Sequence, residues 1–342
     1  MAKAKVASYE AGPKNWPGPT TPFKPGKFKA AVLACGFAAP VCAVHAKEEV
    51  KALKAMGWSV SPAVDGQFSA QVQSAFLDRA VQQKLAGVMM FSIDVTSVKA
   101  AIDRAAKAGL QIICVACISY EFRGPKTSKG WVYDVTANFV EQGEMDAWKV
   151  LSEAGDQSKV AIFTDKSFDP QPLRVVGFNK IFNKFCPKCE KEVIPFVTGD
   201  IAKPGPPAFT ALLSQKPAGQ LTHVVGHYEG MGSAMKNTLK QVGRTDVKVV
   251  TYDTSLDVTT SIAKGDEPLV AASAAPWTYA DWAGADMLGR LKAGVKLWPG
   301  AAALPSTLLT VKNAKNYLPP KTSDPTPPGN WRLSFLKLWV KG

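Results

Sequence analysis

The chain has 342 residues, 46% of them hydrophobic and 20% charged, which is enough for two ordinary domains with separate cores and argues against extensive disorder. No apolar run approaches the length of a membrane span and no leader-like segment opens the chain, so we expect a cytosolic protein or one whose leader was removed before residue 1. The net charge of +13 is spread along the sequence, which favours a basic soluble surface over nucleic-acid binding.

The first 27 residues are rich in Pro, Gly and Lys and predict an extended arm. From residue 29 onwards, apolar strands alternate with amphipathic segments of helical length. Strands are predicted at 29–37, 58–66, 85–94 and 110–119, and helices at 43–57, 69–84 and 95–109. This alternation predicts a parallel sheet covered by helices on both faces.

The alternation stops at a loop, 120–130, and then restarts. Further strands are predicted at 131–139, 158–165, 191–199, 222–228, 246–253 and 268–275, with helices at 140–155, 173–185, 206–217, 230–243 and 256–265. One more helix, 280–294, and a strand, 305–312, precede a Pro-rich tail. The pattern therefore predicts an α/β protein with two doubly wound parallel sheets in series.

Two of the cysteine pairs have Cys-x-x-Cys spacing. Cys114 and Cys117 lie in an apolar strand, where residues three apart point to opposite faces, so we expect buried thiols and no metal site. Cys186 and Cys189 flank a Pro-Lys turn. In an oxidising compartment that spacing favours a disulfide, and in the cytosol it would favour redox or metal chemistry. We favour the disulfide.

Candidate binding residues lie where strands turn into helices, because open parallel sheets bind ligands off the carboxyl ends of their strands. The polar and aromatic residues at these turns are Phe37, Ser92, Asp94, Phe168, Arg174, Tyr228, Glu229, Asp253 and Trp277. Two of them also have a structural interpretation: Asp94 could cap the following helix, and Arg174 could pair with Asp165 or Asp169.

Sequence motifs for cofactors and catalysis are missing. There is no G-x-G-x-x-G after a strand, no Walker sequence and no nucleophile elbow. We therefore expect no cofactor, no resident metal and no catalytic residues.

The order of several segments resembles the periplasmic sugar-binding proteins of the ribose- and galactose-binding kind, over about residues 27–312. The segments are "GVMMFSID", "DVTANF", "LRVVGF", "THVVGHYEGMGSAM", "DVKVVTYD" and "LVAASAAPW". The resemblance implies the type I periplasmic binding protein fold, with two Rossmann-like lobes joined by a hinge of three crossings. It also implies a sugar-sized ligand in the cleft between the lobes and a partner permease of an ABC importer.

The resemblance also assigns roles to residues. The arginine of R-x-x-G-F, here Arg174, donates hydrogen bonds to ligand oxygens, Asp94 and Asp253 accept them from hydroxyls, and aromatic rings cover the sugar faces. We therefore expect Arg174 to stay unpaired in the open cleft and to be satisfied when the cleft closes on a ligand. Asn138, after "DVT", belongs to the same pattern. The chain departs from it at Tyr228 and Glu229, where sugar binders commonly carry Asn-Asp, and at residues 274 and 275, which are alanines where Gln is frequent. The ligands considered are thus a sugar, a deoxy sugar, a cyclitol, or an aromatic or carboxylated compound.

The domain plan that follows has an N-terminal lobe of 28–132 plus 277–305 and a C-terminal lobe of 133–276 plus 306–318. The arm, 1–27, and a Pro-rich tail, 319–342, lie outside the lobes. Crossings are expected near 119–134, 274–277 and 303–307. We expect a monomeric, periplasmic or extracytoplasmic binding protein that does not bind nucleic acid.

Two other functions share this fold class. A ligand-sensing regulator would need an N-terminal helix-turn-helix, which the proline-rich arm cannot supply. An enzyme would need a cofactor motif or a paired acid and base, and neither stands out in the sequence.

Overall fold

The computed structural model of the protein describes residues 1–117, 132–166, 168, 170–198 and 206–340. The chain divides into two compact units, each assembled from three segments. Unit 1 consists of Met1–Lys14, Asn138–Ala275 and Pro305–Pro325, and unit 2 consists of Asn15–Ala137, Pro276–Leu304 and Thr326–Gly342.

Helices and strands alternate through most of the chain. In chain order they are α1 (Ala2–Glu10), β1 (Lys29–Ala34), α2 (Pro40–Ala55), β2 (Ser59–Val60), β3 (Val64–Asp65), α3 (Ala70–Gln82), β4 (Gly87–Phe91), α4 (Lys99–Lys107), β5 (Gln111–Val115), β6 (Val132–Val135), α5 (Phe139–Ala154), β7 (Lys159–Thr164), α6 (Pro170–Phe185), β8 (Glu190–Pro195), α7 (Pro207–Gln215), β9 (His223–Gly226), α8 (Glu229–Gln241), β10 (Lys248–Tyr252), α9 (Leu256–Ala263), β11 (Leu269–Ala274), α10 (Trp277–Ala293), β12 (Thr307–Leu309) and α11 (Trp331–Leu338).

Within the described residues, each unit contains one sheet. In unit 2 the strand order is β2-β1-β4-β5-β6, with β3 also on β1, and these strands pair in parallel. In unit 1 the order is β12-β11-β10-β9-β7-β8, parallel except for β12, which runs antiparallel to β11. The predicted α/β class with two doubly wound parallel sheets is confirmed.

The core of unit 1 lies between its sheet and two helices. Trp148 of α5 and Phe178 and Phe182 of α6 are buried in one cluster with Val160 and Val250 of the central strands. These aromatic positions face the sheet because they recur at helical spacing, while the apolar strand residues present a continuous surface to them.

Three predicted boundaries are wrong. The arm is not extended throughout, because α1 spans Ala2–Glu10 and buries Val6 in the core of unit 1. The boundary at 132/133 is wrong because β6 pairs with β5, which places the first of the three predicted crossings after Ala137. The tail contains α11 and belongs to unit 2 from Thr326 onwards. The chain therefore passes between the units at five places. Of the crossing predicted near 119–134, residues 119–131 lie outside the described residues.

All six cysteines are paired in disulfides: Cys35–Cys42, Cys114–Cys117 and Cys186–Cys189. The last pair is the predicted one, and its Cα atoms lie 5.3 Å apart. The expectation of two free thiols at Cys114 and Cys117 is wrong. The strand ends at Val115 and Ala116 has a φ of +61°, so the chain turns and the two residues are no longer on opposite faces of a strand.

Thiol counting tests these pairs. Protein prepared from an oxidising compartment and unfolded without reductant should show no reactive thiol, whereas the reduced sample should show all six cysteines. A count of two thiols that map to Cys114 and Cys117 would restore the sequence-based expectation for that pair.

Candidate functional site

The candidate site of unit 1 lies at the carboxyl ends of β7, β9 and β10. Asp165 follows β7, Tyr228 and Glu229 lie at the start of α8 just after β9, and Asp253 is the first residue after β10. Parallel strands end at one edge of the sheet, which brings these side chains together. Asp253 has a φ of +60°, a conformation that is costly for a residue with a side chain. Its amide is held by the carbonyl of Ser273 at 3.0 Å.

Arg174 is buried in this site, with 2% of its surface exposed. Its Nη2 donates to Asp253 Oδ2 at 2.6 Å, its Nη1 to the carbonyl of His227 at 2.9 Å, and its Nε to Gln142 Oε1 at 3.0 Å. The prediction that Arg174 stays unpaired is therefore wrong. Its partner is Asp253, while Asp169, one of the two partners considered, lies outside the described residues. A buried guanidinium requires such a partner, because an isolated buried charge is very unfavourable.

Aromatic rings flank the guanidinium. Its Cζ lies 4.6 Å from the ring centre of Tyr252 and 5.3 Å from that of Phe139. Cation–π contacts of this kind are stronger at desolvated sites. Arg174 is thus held by hydrogen bonds in its own plane and by two rings, and its contacts account for three of its five N–H groups.

Two buried acids lie beside this ion pair. Burial raises the pKa of Asp146 well above its usual value, although Arg174 nearby opposes the shift. Burial, and then the carboxylate of Asp253, raises the pKa of Glu229 to about 8. Neither carboxyl oxygen of Asp146 has a hydrogen-bond partner, nor does Oε2 of Glu229, among the residues that the structure describes. The carboxyl group of Glu229 is therefore largely protonated near neutral pH.

His227 is also neutral. Burial lowers the pKa of its imidazole to about 3, against the opposing effect of the Asp165 carboxylate. Its ring lies 4.8 Å from that of Tyr228 and 4.7 Å from that of Phe196, measured between centres. Both ring nitrogens and the Tyr228 hydroxyl lack a hydrogen-bond partner within the described part of the chain. The site therefore combines rings with neutral groups that can still donate or accept hydrogen bonds.

The raised pKa of Glu229 predicts a pH dependence of stability. Between the usual value of 4.5 and about 8, the folded protein holds this proton and the unfolded chain does not. Unfolding then releases a proton, so the contribution of Glu229 to the free energy of unfolding is full below the lower value and is lost as pH rises through the upper one. Glu229→Gln should reduce this slope, measured by urea unfolding at pH 5 to 8.

The control for this experiment is Glu190→Gln, which changes an exposed carboxylate at the start of β8. That variant should keep the wild-type slope, since Glu190 remains in water. Equal slopes for wild type and Glu229→Gln would show that Glu229 is ionised in the folded protein at neutral pH.

Two other candidates of unit 1, Asn138 and Phe168, make hydrogen bonds within the protein. Asn138 caps α5, because its Oδ1 accepts the amide of Glu141 at 3.1 Å. Phe168 is half-buried, and its amide donates to the carbonyl of Asp165 at 3.4 Å. Gln142 and Asp146 were missed, although the sequence carries a signal for them. They lie four residues apart, which places both polar groups on one face of α5, and both side chains are buried.

In unit 2 the candidates lie at the corresponding ends of β1 and β4. Phe37 is 38% exposed, and its amide donates to Asp65 Oδ1 at 2.8 Å. Ser92 follows β4 with a φ of +52°, and Asp94 is half-buried. Asp94 does not cap α4, whose N-cap is Val98. Its Oδ1 instead accepts the amide of Thr96 at 2.9 Å.

Trp277, at the start of α10, is buried in unit 2. Its exposed fraction is 2%, and its ring packs edge-on against Phe91 with centres 6.4 Å apart. The structure thus supports a packing role for Trp277 within its own unit.

Parallel α/β sheets bind small molecules off the carboxyl ends of their strands, and polar side chains lie at that edge in both units. A family model described as a periplasmic binding protein domain matches residues 43–294, and the chain belongs to this family. The resemblance seen in the sequence is thereby confirmed. Members of this family are periplasmic or extracytoplasmic substrate-binding proteins and are not enzymes. No curated protein sequence matches the chain.

Several solved structures share the fold. A sugar ABC transporter protein from Yersinia enterocolitica is 13% identical, with a TM-score of 0.75, over 94% of this chain and 99% of the other. A solute-binding protein from Agrobacterium vitis with bound allitol is 17% identical, with a TM-score of 0.73, over 85% and 97%. A 5-methylthioribose transporter solute-binding protein from Thermotoga lettingae is 12% identical, with a TM-score of 0.74, over 91% and 98%.

None of the helices within the described ranges is both long enough and apolar enough to cross a bilayer.

Proposed function

We propose that the protein is the extracytoplasmic solute-binding component of an ABC importer and that it binds an uncharged, sugar-like molecule as a monomer. Family membership supports the role in binding and delivery to a permease. We further propose that the two units close on a hinge around the ligand. The proposed contact residues are Phe37, Ser92, Asp94 and Trp277 of unit 2 and Asn138, Phe168, Arg174, Tyr228, Glu229 and Asp253 of unit 1.

The observation that carries the ligand class is the ion pair between Arg174 and Asp253. Its 2.6 Å hydrogen bond balances the charge of the guanidinium within the protein. A carboxylated ligand would have to compete with Asp253 for that cation and would place a second carboxylate beside that of Asp253. An uncharged ligand avoids this cost, because its hydroxyl groups can accept from N–H groups of Arg174 other than those that bond to Gln142, His227 and Asp253.

Neutral groups around the pair fit the same ligand class. A protonated Glu229, the hydroxyl of Tyr228 and the neutral ring of His227 can each donate or accept a hydrogen bond. Sugars and polyols present hydroxyls that do both, together with C–H faces that pack on aromatic rings. Related folds with bound allitol and 5-methylthioribose agree with an uncharged polyhydroxylated ligand.

A second candidate ligand is an uncharged aromatic compound. It is favoured by the cluster of rings formed by Phe196, His227 and Tyr228. Aromatic rings pack on one another with centres about 4.5 to 7 Å apart, so this cluster could extend onto a bound ring.

The ligand class can be tested with matched pairs of compounds. A thermal-shift screen should compare aldoses with the corresponding aldonic acids, and phenols with the corresponding benzoic acids. We expect a stabilising neutral member in at least one pair, because a ligand at a hundred times its Kd adds about 2.7 kcal/mol to the free energy of unfolding. Stabilisation by the acids alone would contradict the proposed ligand class.

Solution scattering tests the proposed closure separately. The ligand found in the screen should reduce the radius of gyration, since a ligand that contacts both units favours the closed state. A ligand that raises the melting temperature without changing the radius of gyration would contradict closure and leave the ligand class intact.

A further inference from the structure

A cluster of two cysteines and one carboxylate lies at the carboxyl edge of the unit 2 sheet. Cys114 lies in β5 and is paired in register with Asp134 of β6. Cys117 follows the turn at Ala116, and its Cα lies 5.7 Å from that of Cys114. The exposed fractions of Cys114, Cys117 and Asp134 are 0%, 3% and 8%.

These three side chains form a possible set of metal ligands. The two Sγ atoms and a carboxylate oxygen of Asp134 all lie within 4.8 Å of one another. A tetrahedral zinc ion with bonds of about 2.3 Å holds two sulfurs about 3.8 Å apart, so the two Sγ atoms, which form a disulfide in this structure, must separate on reduction before they can share an ion. Among the residues that the structure describes, this is the only group of His, Cys, Asp and Glu side chains that meets the same criterion.

Backbone groups support the same arrangement. The amide of Ile93 donates to Cys117 Sγ at 3.2 Å, which would stabilise negative charge on that sulfur. The amide of Cys117 donates to Asp134 Oδ1 at 3.1 Å and so fixes the carboxylate beside the pair. Metal sites depend on such outer hydrogen bonds to orient their ligands.

We propose that Cys114, Cys117 and Asp134 form a binding site for a thiophilic divalent cation such as Zn²⁺, and that the redox state of the cysteine pair controls it. Thiolates favour zinc over hard cations, and zinc accepts three protein ligands with water in the fourth position. The oxidised pair cannot supply two thiolates, so the disulfide form does not bind.

A dithiol reductant supplies the electrons and protons that open the disulfide. It gives two electrons and two protons to the Cys114–Cys117 bond and becomes a disulfide itself. The two cysteine thiols then lose their protons as zinc binds, so metal uptake releases two protons from the pair. Oxidation by a disulfide reverses these steps and releases the ion.

Zinc and cadmium binding to the full-length protein provide the test. Protein reduced with a phosphine, which has no thiol of its own, should bind about one Zn²⁺ per chain in equilibrium dialysis, and Cd²⁺ should give ultraviolet thiolate charge-transfer absorption. The oxidised protein should show neither signal. Reduced wild-type protein that binds no zinc would overturn the proposal.

Variants locate the site. Cys114→Ser with Cys117→Ser should abolish binding, and Asp134→Asn should weaken it by about tenfold or more. The matched control is Cys186→Ser with Cys189→Ser, which removes the other Cys-x-x-Cys pair and should leave binding unchanged. Loss of zinc in this control but not in the first variant would overturn the assignment, and unchanged binding by Asp134→Asn would remove the carboxylate from the site.

A measurement on wild-type protein covers the case in which a variant does not fold. Zinc should slow alkylation of Cys114 and Cys117 in the reduced protein, as mapped by mass spectrometry, and leave the rates at the other four cysteines unchanged. Protection at any other pair would contradict the proposed site.

Discussion

Arg174→Ala should lower the free energy of unfolding of the ligand-free protein by about 3 to 5 kcal/mol, because the change leaves a buried charge without its partner. Asp253 would lose the hydrogen bond of 2.6 Å, and Gln142 and the carbonyl of His227 would each lose a donor. The space between Phe139 and Tyr252 would also be left unfilled. Urea unfolding without ligand measures the loss.

The companion variants separate the ion pair from packing. Asp253→Asn should also be destabilising, and the double variant Arg174→Ala with Asp253→Asn should lose less than the sum of the two single changes, because neither charge remains unpaired. Arg104→Ala is the control, since its pair with Asp78 is exposed and should change stability far less. An unchanged midpoint for Arg174→Ala would restore the sequence-based expectation that this cation is unpaired without ligand.

The sequence predicted the sheets well because their signal is local. The strand predicted at 246–253 is β10, Lys248–Tyr252, and its buried pattern follows directly from a continuous apolar run. Helix α1 was missed because its sequence, AKAKVASYE, has no apolar stripe and buries Val6 alone. The helix is stabilised by its packing on unit 1, and a prediction from helix propensity does not include the free energy of that packing.

The site was predicted in part. Strand ends could be located from the sequence, so Arg174 and Asp253 were both selected as candidates. Their pairing could not be found, because the two residues are 79 positions apart and their contact depends on how α6 packs over the sheet. The same holds for Gln142, which is 32 positions from Arg174. Long-range contacts decide whether a turn residue faces a ligand or another side chain.

The packing of α6 on α5 depends on two glycines. A Cβ on Gly177 would overlap the carbonyl oxygen of Val140, and one on Gly143 would overlap the carbonyl oxygen of Arg174. The backbones therefore touch in a reciprocal contact that only glycine permits. This explains the glycine of the R-x-x-G-F motif, since Gly177 lies one turn after Arg174 and sets the distance of that turn from α5.

Gly177→Ala should therefore lower the free energy of unfolding by about 3 kcal/mol or more, because the two backbones must separate to admit a methyl group. The sign of the change separates the backbone contact from helix propensity. In a helix without such a contact, alanine in place of glycine raises the free energy of unfolding by about 1 kcal/mol, so intrinsic propensity predicts the opposite result. Urea unfolding gives the free energy. Val176→Ala is the control, since Val176 lies on the same helix with 53% of its surface exposed and should have little effect. A stabilised Gly177→Ala protein would mean that α5 and α6 do not touch in solution, and the position of Arg174 would then need another cause.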